Sequence, residues 1–402
     1  MTDSLSLSTA AETAAVHDAQ PERPFGGSPR SRRANAVRDN MMRSLVPVVL
    51  ALVVGGVLLL ALGDNPFTFY GNIWQYGIAQ GSWEDSAMRA APLLLIAVGL
   101  IVVFRANIWN LGYNGQFLIA AALITGVAPH LQSLPNSLSL LILFALAMGA
   151  AAAWTIIPAL LKARYQTNEI ITTLMMSFIG VGLANILIKG PFQDPTVRIP
   201  ETRVIPFDHM LPPIPGTRIH AGVLVALGVA LLAHYILTRT SFGLRLHVLG
   251  ANPRAAAHMG VDVRSLVVRS FLVSGALVGA AAAADILGVW GFVRANWNPA
   301  YGDTVIPFVF LARLNPLAVI PFILFFAVLS TGGDLAATQA NLSTDFLLIL
   351  VALILLFMTV IEFLGRRRDL GGSYLTPGLR NALRQPLIRR RASAAPTGGA
   401  GQ

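Results

Sequence analysis

The sequence predicts an all-α integral membrane protein of about ten transmembrane helices, with eight as the lower count and both termini in the cytoplasm. Three observations carry this reading. Of the 402 residues, 55% are hydrophobic and 12% charged, against about 25% charged in soluble domains, and mean hydropathy is +0.65. The apolar residues gather into ten runs separated by polar breaks rich in glycine, proline or arginine. The basic residues also fall unevenly between alternate breaks, as they do when short Lys/Arg-rich loops stay inside.

Residues 1–43 are rich in Ala, Ser, Asp and Arg without apolar periodicity, and read as a disordered basic cytoplasmic tail. The apolar body spans 44–365. Its first run, 44–62, is too long for a signal-peptide core and reads as an uncleaved span. Further runs occupy 88–104, 117–134, 138–161, 170–188, 221–237, 266–290, 303–311, 316–329 and 346–363. Several fall short of the roughly 20 residues a perpendicular helix needs, so some are broken, re-entrant or extended into their flanks. Residues 366–402 form a second basic tail, opening on Arg366, Arg367 and Arg368, which face anionic headgroups.

Ten crossings from a cytoplasmic start place 23 lysines and arginines inside. Six lie outside: Arg89, Lys189, Arg198, Arg203, Arg218 and Arg294. One misplaced span between the halves would invert the second half and destroy that asymmetry. The external segment 189–220 holds seven prolines, which excludes a regular helix or central strand. It either meets a delivering partner or covers the mouth of a pore.

The runs before and after this loop follow one order: a long helix, a polar Gly-containing break, a short span, then two more. The breaks are RANIWNLGYNGQ (105–116) and WGFVRANWNPAYGDT (290–304). The first falls inside and the second outside, the mark of an inverted repeat with a substrate route between its halves.

The chemistry is sparse. With no cysteine, disulfides and thiolate chemistry are excluded. The net charge of +10 comes largely from tails and loops, so no basic face for nucleic acid is expected. The two lysines, Lys162 and Lys189, follow no phosphate-binding glycine pattern, so any ATP drive comes from another subunit. No histidine group has metal-ligand spacing and no catalytic triad stands out. Asp285 lies well inside a span, where a carboxylate must face protein or water. Asn114 and Gln116 sit beside glycines at the start of a short span, placed to line a polar cavity, and with Asn185 and Asp285 they are the expected substrate route. Asn168 and Glu169 read as an N-cap and an acidic first turn. The GALVG of Gly275 and Gly279 allows close helix approach.

The polar segment 238–265, TRTSFGLRLHVLGANPRAAAHMGVDVRS, carries Arg239, Arg245, Arg254 and Arg264. Within it, Asn252 and Pro253 start a short helix that Gly260 stops. Exposed between two spans, this helix is a handle for a soluble partner, with Asn252, Pro253, Arg254, His258 and Gly260 as its expected contacts.

Four stretches together resemble the permease subunits of bacterial ABC importers for nucleosides and simple sugars, a branched-chain-type permease family. They are NLGYNGQFLIAA (110–121), TNEIITTLMMSF (167–178) with GPFQDP (190–195), GANPRAAAHMGVDV (250–263) with SGALVGAAAA (274–283), and YGDTVIPFVFLARLNP (301–316). Their order and spacing make the resemblance specific over about 88–363. Asn114 stands where the family usually has glutamate, and Ser177 where asparagine is common, at positions that bear on the ligand. The resemblance implies a second permease subunit, identical or homologous, an ATPase docked on 238–265, and an extracytoplasmic substrate-binding protein. ATP and Mg would sit on the ATPase, with no cofactor on this chain and no covalent catalysis by it. The expected place is the bacterial cytoplasmic (inner) membrane and the expected cargo a nucleoside, with a simple sugar as the alternative. An ion-coupled secondary transporter shares the inverted repeat but would need a chain of buried ionisable groups, which the sequence lacks.

Overall fold

The computed structural model describes residues 29–340, 342–343 and 346–369. Among them the regular elements are all helical, with three isolated β-bridges in loops. In chain order they are α1 Pro29–Leu62, α2 Pro66–Gly77, α3 Trp83–Arg105, α4 Tyr113–Val127, α5 Asn136–Trp154, α6 Ile156–Tyr165 and α7 Glu169–Lys189. Then follow α8 Gly222–Arg239, α9 Ser241–Ala251, α10 Pro253–His258, α11 Val263–Asp285 with a π-turn Ile286–Trp290, α12 Tyr301–Leu311, α13 Val319–Gln339 and α14 Phe346–Asp369.

All ten expected apolar runs are helical, and among the described residues eight helices are long and apolar enough to cross a membrane, the lower end of the expected count. The two exceptions are α4, with 15 residues, and α12, with 11. At 1.5 Å per residue they reach about 22 and 16 Å, short of a hydrocarbon core about 30 Å thick. Each enters the bundle from a break rather than from its surface.

Residues 29–43, expected as tail, belong to α1; alanine and arginine, both strong helix formers, recur there. Residues 1–28 and 370–402 lie outside the described residues, so the ends of both expected tails do too. The packing described here belongs to the body beginning at Val46. One further helix was not expected, α2. Asn65 caps it by accepting from the Phe67 amide at 2.9 Å, and Pro66 supplies its pre-set first residue. It lies on α13, where Gly332 meets the backbone of Ile73 and Gly77 meets that of Val328.

Two helices form the centre. In α3, 83% of the most apolar window is buried and in α11 67%, against 22–50% in the other six. They run antiparallel: Gly99 of α3 packs on Ser274 and Leu277 of α11, while Arg89, nearer the start of α3, lies by Asp285, nearer the end of α11. Gly275 and Gly279 put α11 against the backbone of α5 at Ala151 and Ala147, the close approach expected of GALVG.

The packing is reciprocal. Helix α3 contacts α12 and α13, and α11 contacts α4 and α5, so each long helix holds the short helix of the other half and the span after it. The breaks after α3 and α11 lie at opposite ends of this antiparallel pair, as an inverted repeat requires. At the first break, Arg105 donates to the carbonyl of Leu314 at 2.9 Å and to that of Leu237 at 3.1 Å, tying the ends of α3, α12 and α8 together. At the second, the Pro-rich segment is stitched along 287–295. The Thr202 amide donates to Val293 O at 3.0 Å, Ile205 to Gly291 O at 2.8 Å and Leu211 to Leu287 O at 2.8 Å.

Candidate functional site

The two short helices begin inside the bundle, and their N-termini meet. After Arg105 the chain turns back. Trp109 packs with Phe104 and Phe310, the latter two stacked with centroids 5.2 Å apart, and residues 108–112 then climb to α4 without helical bonds. From the other end, 291–300 descends to α12 through Gly291, Asn296 and Ala300, all with positive φ.

Where the helices meet, the Tyr113 hydroxyl donates to Asp303 at 2.6 Å, and the Asn114 amide donates to the other carboxylate oxygen at 3.0 Å. Gly302 is a glycine because the Tyr113 ring occupies the place of a side chain. Tyr301 packs edge-on against Phe117, centroids 5.6 Å apart, and its hydroxyl donates to Asp285 at 3.2 Å. Trp297 joins Phe117 at 6.3 Å and Trp290 at 5.6 Å. Asp303 is exposed although the two short helices that meet at it, α4 and α12, each pack on a helix of the central pair. Nearby, Arg89 of α3 pairs with Asp334 of α13 at 2.8 Å, both partly exposed.

This arrangement sets two helix N-termini, each the positive end of a helix dipole, against a carboxylate, a phenol and an amide, with four aromatic rings packed together beside them. It can bind a ligand that has one apolar or ring face and several hydroxyls. Among the described residues no group of histidines and carboxylates could hold a metal ion.

The expected route residues divide. Asn114 reaches the exposed Asp303 carboxylate. Gln116 does not: it is 1% exposed and donates to Asn110 at 2.9 Å, while Asn110 donates in turn to Ser274 at 3.1 Å and accepts from the Gly112 amide at 3.1 Å. Gln116 therefore fixes the first break to α11. Asn185 accepts from the Asn296 amide at 2.6 Å and donates to Val181 O at 3.0 Å, fixing the second break to α7. Asp285 is 2% exposed, and Tyr301 covers it. Ser177 accepts from the Gly115 amide at 3.1 Å and is spent in packing. Sequence reasoning missed Asp303, Tyr113 and Tyr301. Asp303 reads as an acidic first turn at a span's end; only the re-entrant break puts that end in the middle. The signal was the brevity of the 303–311 run.

The segment 238–265 forms α9 and α10. The Asn252 side chain accepts from the Arg254 and Ala255 amides at 2.9 and 3.1 Å, Pro253 opens α10, and Gly260 has φ +76, the cap and stop expected. Asn252, Pro253, Arg254, His258 and Gly260 are exposed, while Ala256 is buried beneath. Gly250 of α9 packs directly on the carbonyl of Arg105, which joins this segment to the end of α3 and the first break. Asn168 caps α7 by accepting from the Ile170 amide at 2.9 Å, and Glu169 pairs with Lys162 at 2.7 Å.

The family described as "Branched-chain amino acid transport system / permease component" matches residues 82–359, from the start of α3 to the middle of α14. The chain belongs to this permease family. It is 33% identical to the glucose ABC transporter permease protein of Haloferax volcanii, over 81% of this chain and 88% of that one. It is 26% identical to the guanosine ABC transporter permease protein of Bacillus subtilis, covering 80% and 93%. With the nucleoside ABC transporter permease protein of Lactococcus lactis subsp. cremoris it shares 24%, over 79% and 90%. The family and the eight membrane-length helices make it a multi-pass membrane permease.

Proposed function

We propose that this permease is the transmembrane subunit of an ATP-driven ABC importer and that it carries nucleosides past the meeting of α4 and α12. The observation that carries the reading is the exposed Asp303 carboxylate, bonded to Tyr113 and Asn114 beside a group of aromatic rings. A nucleoside offers a flat base to Trp290, Trp297 and Tyr301, which the buried Phe117 backs, and ribose hydroxyls to the Asp303 carboxylate and Asn114. Bases stack on aromatic rings whatever their edge. The guanosine and nucleoside permeases among the relatives agree with this cargo.

The driving subunit is a separate ATPase, with ATP and Mg bound to it, docked on α10 through Arg254 and its neighbours at the cytoplasmic face. An extracytoplasmic binding protein delivers cargo to the opposite end, and a second permease completes the pathway. Movement of α10 passes through Gly250 to Arg105 and rocks one half against the other. The expected place is a cytoplasmic membrane. A second reading, a simple sugar, is favoured by the identity to the glucose permease, which exceeds that to either nucleoside permease named.

Reconstitution in liposomes with the ATPase and binding protein, following labelled guanosine, uridine and glucose, tests both. ATP-dependent guanosine or uridine uptake is the expected result. Uptake of glucose alone transfers the proposal to the sugar, and uptake that follows an ion gradient without the ATPase overturns it.

A further inference from the structure

Away from the meeting of α4 and α12, at the α10 end, a groove of about 420 Å³ opens between α6 and α11. Arg164, Arg264 and Arg269 surround it, with Leu160 and Val268 as walls and Ser265 at its edge. All three arginines are exposed, and among the described residues no carboxylate pairs with any of them. The two nearby acids are engaged elsewhere: Glu169 holds Lys162 at 2.7 Å, and Asp262 caps α11 by accepting from the Ser265 amide at 3.1 Å. Three like charges gathered around one groove repel one another unless an anion lies among them. Arg264 and Ser265 also belong to the first turn of α11, where the helix end adds positive potential.

The groove does not stop at its charges. One turn further into the bundle on α6 lie Leu160 and then Ile157 and Ile156, which are 52%, 52% and 40% exposed, and on α11 lies Val273, 39% exposed. Cationic headroom thus passes directly into an apolar strip running along two membrane helices. Matching that order needs an amphiphile whose anionic head and hydrocarbon chains meet at one depth. A soluble partner would match the arginines but leave the strip uncovered, and a second copy of this face would set arginine against arginine.

We propose that this groove is a binding site for an anionic phospholipid of the leaflet at the α10 end. Its headgroup phosphate sits among Arg164, Arg264 and Arg269, and its acyl chains lie along Leu160, Ile157 and Val273. Basic pockets between membrane helices take headgroups in this way. The site rests on the membrane-spanning fold alone and not on the cargo.

The test takes the full chain from vesicles of mixed phosphatidylglycerol and phosphatidylcholine, and counts the lipids it keeps by native mass spectrometry. Wild type is expected to keep phosphatidylglycerol in preference. Each Arg→Gln change among the three should weaken retention about fivefold, and Arg164→Gln/Arg264→Gln/Arg269→Gln together about a hundredfold. The matching triple change to Lys should keep most of it, which separates lost charge from lost fold. Arg239→Gln/Arg245→Gln, at the same end but off the groove, should leave retention unchanged. Equal retention by the triple Gln variant overturns the site, as does equal loss in the off-groove control. Displacement by inorganic phosphate as effective as by phosphatidylglycerol overturns the lipid in favour of free phosphate. Unchanged retention with loss of ATPase co-purification, or of a dimer, makes the groove a protein interface instead.

Discussion

Asp303→Asn tests whether the meeting of α4 and α12 is a latch between the halves. In the structure the carboxylate accepts from Tyr113 at 2.6 Å and from Asn114 at 3.0 Å. The first is a short charge-assisted bond, a class that contributes about 1.5–3 kcal/mol, and the second an amide bond of about 1 kcal/mol. An asparagine has one acceptor oxygen. It can keep a neutral bond to Tyr113, but its own amide then faces the amide of Asn114, donor against donor. The net loss is about 2 kcal/mol at an exposed group, about thirtyfold in the ratio of latched to unlatched populations. Because the chain has no cysteine, spin labels can be placed at introduced cysteines in 113–127 and 301–311 without removing others. Pulsed dipolar distances in lipid should then shift toward a broader, longer population in Asp303→Asn, with Tyr113→Phe showing part of the shift. Distances and uptake both unchanged in Asp303→Asn would refute the latch.

Gly115→Ala should lower thermal stability by about 1–3 kcal/mol, because its Cβ would lie 2.7 Å from the carbonyl oxygen of Ser177 and 2.9 Å from that residue's Cα. Gly182→Ala, with nothing within 4 Å, should be neutral or slightly stabilising in the same melt. Arg254→Glu should abolish co-purification of the ATPase while leaving membrane insertion intact; unchanged binding would move the docking surface elsewhere. His220, 2% exposed with neither ring nitrogen bonded, has its pKa held down at about 4 by burial. The unfolded chain takes up a proton near pH 6.5, and the folded chain only near 4. Stability contributed by the neutral ring is therefore complete above pH 6.5 and falls by about 3 kcal/mol as pH drops toward 4. Melting curves across that range should lose this slope in His220→Leu, and equal slopes would show that another group titrates.

Much of the fold was legible in the sequence because its determinants are local. Apolar runs of span length, arginines at their ends, the cap of Asn252 with Pro253 and the stop at Gly260 need no partner to be read. The brevity of 303–311 already carried the re-entrant break, though not its consequence for Asp303. Helix α2 escaped notice because its Phe, Tyr and Trp alternate with polar residues over only three turns, and its burial depends on α13.

What the sequence by itself determined is that this chain crosses a membrane many times, in two halves with matching breaks, and carries an exposed capped helix between spans. What only the tertiary structure decided is which polar side chains reach the exposed Asp303 carboxylate. Asn114 and Gln116 are two residues apart and so about 200° apart around α4: one reaches Asp303 and the other locks Asn110 to Ser274. Composition cannot separate them, since lipid tails are as apolar as a protein core and the rotation of each helix is set by its neighbours. The same holds for Asp285 and Asn185, whose partners Tyr301 and Asn296 lie 16 and 111 positions away along the chain.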